Sequence, residues 1–112
     1  MVGINNKPNY NLNDVKSASK SMSIEFRGRK TRLDILNLDY RLSDVALCLS
    51  QLTPDDYRKT IYYEDRIPDD EYISYFTRPG NEHFEPDKLY IKFCLLEDCL
   101  ILELASFHLT RF

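Results

Sequence analysis

Residues 89–107, LYIKFCLLEDCLILELASF, form the most apolar stretch of the chain, and its pattern divides into two faces. Successive side chains of a strand point to opposite sides. Leu89, Ile91, Phe93 and Leu95 therefore share one face with Leu100, Leu102 and Leu104 of the second run. The acidic pair Glu97-Asp98 between the runs suits a tight turn, so the stretch is predicted to be a β-hairpin. With that pair as a two-residue loop, counting outward sets Leu96 opposite Cys99 and Leu95 opposite Leu100. It also sets Lys92 opposite Glu103 and Tyr90 opposite Ala105. The apolar face is the expected floor of a core. The other face carries Tyr90, Lys92, Cys94, Ile101, Glu103 and Ala105. A tyrosine and a lysine two residues apart on an open sheet face read as a site or as ordinary surface, and spacing alone leaves both open.

The first half of the chain has helical patterning. The polar start, to about Pro8, is expected to be loose. Asn11 is placed to cap a short helix beginning at Leu12, with Asp14 in its first turn. Residues 22–26 alternate like a short strand that Gly28 breaks, and the basic group after it is expected in a loop. Residues 31–37 read as a second helix. Ser43 is placed to cap a third, along which Val45, Cys48, Leu49 and Leu52 recur at helical spacing and predict a buried stripe. Thr53-Pro54-Asp55-Asp56 signals one more helix start. That helix must be short, because β-branched and aromatic residues follow at 60–63, with Lys59 at the junction. Residues 61–64 and 72–76 are predicted strands joined by a turn over 66–70, and Arg78-Pro79-Gly80 opens a polar loop to Lys88. Helices first and an antiparallel sheet after predict one α+β domain over residues 1–112, its N-terminal helices covering the apolar face of a C-terminal sheet.

Composition changes this picture little. The 112 residues are 43% hydrophobic and 29% charged, as expected of one globular domain. The sequence has no apolar run of membrane-crossing length and no secretory h-region at its start. Cys48, Cys94 and Cys99 are odd in number and fall in apolar runs, which predicts reduced thiols in a cytoplasmic protein. His83 and His108 are isolated, so no metal set is predicted. The net charge of −3 argues mildly against nucleic acid, but charge is uneven, with Arg27, Arg29, Lys30 and Arg32 inside six residues.

The sequence lacks a nucleophilic triad, a Gly-rich phosphate loop and a metal box. What remains is a metal-free set of Lys, Tyr, Arg and His. Such a set suits RNA cleavage, because the attacking 2′-hydroxyl already belongs to the substrate. The protein need only align it, move protons and steady charge on the phosphorane.

LTPDDYRK at 52–59, TIYYED, YFTRP and LYIKFCLLEDCLIL follow one another in an order that resembles the MqsR family of toxins from type II toxin–antitoxin systems. That family carries D-F-Y-K, then W-Q-D-V-Y-R-P, then V-Y-L-K. YNLNDVK at 10–16 and the segment 37–52 are similar to its N-terminal helices. The resemblance implies a RelE-like fold and a metal-independent mRNA endoribonuclease that needs no cofactor. It implies single-stranded mRNA as substrate. It also implies a cognate antitoxin of the MqsA type, a zinc-containing protein with a helix-turn-helix, that holds the toxin inactive. Carried over residue by residue, the family's lysine falls on Lys59, its tyrosine on Tyr90, its arginine on Arg78 and its second lysine on Lys92. Arg27, Arg29 and Lys30 are expected to grip the RNA backbone.

The chain departs from the family in two places. A catalytic lysine near the C-terminus faces the tyrosine across the family's hairpin, whereas the register above puts Ala105 there. His108, which alternation points to the other face, and Arg111 are the nearby replacements, and His108 joins Lys59 and Tyr90 as the expected catalytic set. Ile73 and Ser74 stand where the family has Trp and Gln. The rival expectation is therefore a non-catalytic relative that binds a protein partner along an open sheet edge.

Overall fold

The structure is a computed structural model that describes residues 3–5, as backbone, and 7–110. Three helices, α1 (Leu12–Lys20), α2 (Gly28–Asn37) and α3 (Leu42–Ser50), lie in the first half of the chain. Six strands follow the sheet order β1-β3-β4-β5-β6-β2. They are β1 (Gly3–Asn5), β2 (Ile24–Phe26), β3 (Tyr57–Tyr62), β4 (Asp69–Phe76), β5 (Asp87–Leu96) and β6 (Ile101–Leu109). The fold is α+β, with the helices on the apolar face of the sheet, as the order of patterns predicts. No helix among the described residues is long and apolar enough to cross a membrane.

The sheet is mixed rather than antiparallel. Both outer strands come from the N-terminal part: β1 pairs antiparallel with β3, and β2 pairs parallel with β6. A strand of three residues carries too little alternation to announce a partner far away in sequence, and residues 3–5 read only as polar chain.

The Asn11 cap and the buried stripe of α3 hold, but Ser43 is not a cap: it lies inside α3, whose N-cap is Arg41. The Asn11 side chain accepts from the backbone N–H of Asn13 at 2.8 Å and of Asp14 at 3.4 Å, capping α1. The helix α3 starts one residue before Ser43, where the Asp44 carboxylate accepts from the Arg41 N–H at 2.8 Å. Val45, Cys48, Leu49 and Leu52 are all fully buried. They meet Leu89, Ile91, Phe93, Leu95, Leu102, Leu104 and Phe107 in one core. Tyr72 stacks on Phe93 at 5.5 Å, and Tyr40 packs its edge against Phe107 at 5.8 Å. Pro54 opens only a three-residue 3-10 turn before β3 begins.

The central hairpin exists, but its register differs. Four residues, 97–100, make the turn, with Leu100 in the left-handed region at φ +50 and exposed rather than in the core. Leu96 faces Ile101, and Cys94, not Lys92, faces Glu103. A β-bulge then follows: Phe93 pairs with Leu104 and Lys92 with Ser106, so Ala105 is the extra residue. Beyond it Ile91 faces Phe107 and Tyr90 faces His108. Two helix contacts pin the bulge, from Arg27 N–H to the Leu104 carbonyl at 2.8 Å and from Thr31 Oγ1 to the Ala105 carbonyl at 2.7 Å.

The basic group is not a loop. Gly28, at φ +81, turns the chain directly into α2, so Arg29, Lys30 and Arg32 belong to its first turns. Likewise β4 begins at Asp69, where a turn was expected. Asp70 is fully buried and accepts from the N–H groups of Asn9 and Tyr10, both at 2.9 Å, and from Thr60 Oγ1.

Arg27 crosses the far face of the sheet. Its guanidinium grips Asp69 through two hydrogen bonds of 2.8 and 2.7 Å, and its Nε donates to Glu103 at 2.6 Å. Burial works against the Asp69 charge, but hydrogen bonds from Arg27 and Tyr63 outweigh it and hold the carboxyl below its usual range. Glu103 is lowered in the same way: burial opposes its charge, and hydrogen bonds from Arg27 and Arg66 prevail. Both groups bind fewer protons folded than unfolded across the carboxylate range, so their contribution is complete above it and fades as pH falls through the depressed values. Arg27→Met, which leaves Asp69 buried without its cation, is expected to cost about 3 kcal/mol near neutral pH. Urea unfolding at several pH values should show that deficit shrinking as the solution is acidified through the carboxylate range.

Candidate active site

The sheet face away from the helices carries alternate residues of the four inner strands. Lys59 of β3 pairs with Glu71 of β4, Glu71 with Lys92 of β5, and Lys92 with Ser106 of β6. One row further, Ile73, Tyr90 and His108 lie side by side. These rows and Lys30, which reaches over from α2 at the β6 edge, line an open cleft of about 550 Å3 together with Ile61 and Thr110; its wall residues are Lys59, Glu71, Tyr90, Ser106 and His108.

Three predicted catalytic residues, Lys59, Tyr90 and His108, therefore share one cavity, together with Lys30. Lys59 sits within β3 rather than at a helix end. Its Nζ lies 3.8 Å from Glu71 Oε2. The Tyr90 and His108 rings stack with centroids 5.2 Å apart. Alternation from a two-residue turn sends His108 to the opposite face. The longer turn preserves alternation, but the bulge at Ala105 reverses it and returns the imidazole beside the phenol. His108 Nδ1 lies 2.8 Å from the Leu109 carbonyl. A carbonyl only accepts, so Nδ1 carries a proton there and Nε2 is the nitrogen left for a substrate.

Burial raises the Tyr90 phenol pKa well above its ordinary value, and the neighbouring Glu71 carboxylate raises it further by charge and hydrogen bonding. The phenol is thus a hydrogen-bond donor at neutral pH. Lys30 and Lys59 supply positive charge around it, although Lys30 also pairs with Asp34 at 2.7 Å. Among the described residues no group of three His, Cys, Asp or Glu side chains gathers into a metal set.

The other predicted residues stand elsewhere. Lys92 is half-buried on the same face, next to Glu71 in the register. The expected pair with Glu103 does not form, because Arg27 and Arg66 take that carboxylate, the latter at 3.2 Å. Arg27 is committed to its two carboxylates. Arg29 is exposed on α2 and does not line the cleft. Arg78 lies apart from the cleft, donating to the Asp39 carbonyl with its guanidinium 5.6 Å from the centre of the Tyr40 ring. Arg111 lies outside the described residues.

Glu71 is the residue that reading by motif passes over. It looks like one of a cluster of solvated acids, yet its side chain is only 8% exposed. Counting back by alternation from Tyr72, which belongs to the core, would have put it on the same face as Tyr90.

No protein-family model matches this chain, and no curated protein matches it.

Replacing the Glu71 carboxylate by an amide isolates the two causes of the Tyr90 shift. In Glu71→Gln the phenol should ionise at lower pH than in the parent, yet still above the ordinary tyrosine value, because burial remains. Following the ring carbon resonances of labelled tyrosine through an alkaline titration measures this. An unmoved Tyr90 midpoint would contradict the contact.

Proposed function

We propose that this chain is the toxin of a type II toxin–antitoxin system, a metal-independent mRNA endoribonuclease of the cytoplasm. The observation that carries the reading is the meeting of Lys59, Tyr90 and His108, from three different strands, in one cleft beside Lys30. The substrate's own 2′-oxygen attacks the adjacent phosphorus, and the 5′-oxygen leaves. The work for the protein is to hold that line and offset growing negative charge on the non-bridging oxygens. Lys59 and Lys30 offer ammonium groups for that charge. Tyr90, kept protonated, donates a hydrogen bond to the phosphate. His108 replaces the cation that the resemblance to the MqsR family leads one to expect opposite the tyrosine. Lys92 and the exposed Arg29 extend positive charge beyond the cleft for the flanking backbone. An antitoxin of the MqsA type would silence the protein by covering the cleft or its approaches.

Purified protein should cut mRNA in the presence of EDTA, leaving 2′,3′-cyclic phosphate and 5′-hydroxyl ends. Lys59→Ala, Tyr90→Phe and His108→Ala are each expected to slow cleavage about a hundredfold, as loss of a positioned proton-transfer or charge-stabilising group does. Expression of the chain alone should arrest growth, with rescue by the neighbouring antitoxin frame. Intact RNA after hours at high protein concentration, with normal growth on induction, would replace this reading with that of a non-catalytic, partner-binding relative.

A further inference from the structure

A cleft built for a phosphodiester should not hold a carboxylate. Glu71 nevertheless forms part of its wall, nearly removed from solvent, at the centre of the row Lys59, Glu71, Lys92, Ser106. Its negative charge opposes binding of a polyanion, so its place there calls for a use. Stability supplies only part of one. The contact to Lys59 is long, at 3.8 Å, and Lys59 is 41% exposed, which makes for a weak ion pair.

We propose that Glu71 is a catalytic residue, the general base that removes the 2′-hydroxyl proton. This rests on the ribonuclease reading above and adds the proton acceptor it lacks. Among the described residues lining the cleft, His108 is the other side chain suited to proton transfer, and it stacks on Tyr90 one row away. Two groups in neighbouring rows of one cleft suit two different protons. The O2′–H bond breaks and its proton passes to the Glu71 carboxylate while O2′ bonds to phosphorus. The P–O5′ bond breaks, and O5′ takes a proton from Nε2 of the His108 imidazolium. The products are a 2′,3′-cyclic phosphate and a 5′-hydroxyl, and no oxidant or co-substrate enters. Tyr90 cannot be the base, since its phenol keeps its proton at neutral pH. Lys59 and Lys92 flank Glu71 from β3 and β5, and the Tyr90 phenol of β5 hydrogen-bonds to it. Asp69, two residues along β4, is neutralised by Arg27.

The test separates chemistry from support. Glu71→Gln keeps the size of the side chain and removes the base. Its kcat should fall about a hundredfold or more, and the acidic limb of the pH–rate profile should disappear. At the same time a non-cleavable 2′-deoxy oligonucleotide should bind several-fold more tightly, because a negative charge has left the site. Formate should partly restore Glu71→Ala. A substrate with sulfur in place of the bridging 5′-oxygen, a better leaving group, should rescue His108→Ala and not Glu71→Gln. Parent-like kcat in Glu71→Gln with an unchanged acidic limb overturns the proposal. So does loss of analogue binding together with activity, which would make Glu71 a support for Lys59. If Glu71→Gln fails to fold, Glu71→Ala carries the same measurements, and parent-like kcat there without formate overturns the proposal. A parent protein that leaves RNA intact defeats the ribonuclease reading itself.

Discussion

The extra residue at Ala105 sets what each side of the sheet presents. Before it, Leu102 and Leu104 point into the core; after it, Phe107 does, so two residues of even number and one of odd number share a single face. Without that shift a regular strand could not bury Phe107 under Tyr40 and also set His108 against Tyr90. The bulge is held by its neighbours: Thr31 and the Arg27 backbone take its carbonyls, which fixes α2 along the same edge and brings Lys30 to the mouth of the cleft. One irregularity thereby positions an imidazole, a helix and an ammonium group together.

Charge on the open face is arranged in two zones. Toward the hairpin turn, Arg27 and Arg66 neutralise Asp69 and Glu103, and the Cys94 thiol lies under the guanidinium at 3.4 Å. Toward the other end, Lys59 and Lys92 flank Glu71 and the Tyr90–His108 stack stays accessible. The first zone is closely paired; the second gathers Lys59, Tyr90 and His108 around the single carboxylate of Glu71 beside a cavity. Part of the acid is thus engaged inside the fold, Asp69 and Glu103 with arginines and Asp70 with backbone and hydroxyl donors. Asp69 and Asp70 are both fully buried, the first against the Arg27 guanidinium.

Much of the fold was legible because its signals are local. The Asn11 cap, the stripe of Val45, Cys48, Leu49 and Leu52, and the alternation of residues 89–95 each depend on neighbours within a turn or two of chain. The α+β order followed from them. What escaped was non-local. The parallel pairing of β2 with β6 leaves no trace in three residues, and the bulge is set by Thr31 and Arg27, far away in sequence. The hairpin turn took four residues because Leu100 accepts a left-handed conformation that sequence preference discourages. The site was therefore half readable: Lys59, Tyr90 and His108 could be named from residue type and resemblance, whereas the facing of His108 and the presence of Glu71 required the register.

Both outermost strands of the sheet are synthesised early, and one of them waits for a partner made last among the described strands. While β6 is still inside the ribosome, β2 has nothing to pair with, α2 has no edge to lie along, and the pocket has no fourth wall. Closure of so long a chain segment is slow compared with forming the helices. Until β6 docks, Ser106 and His108 are missing from the wall, so the pocket is completed in the same step that seats β2.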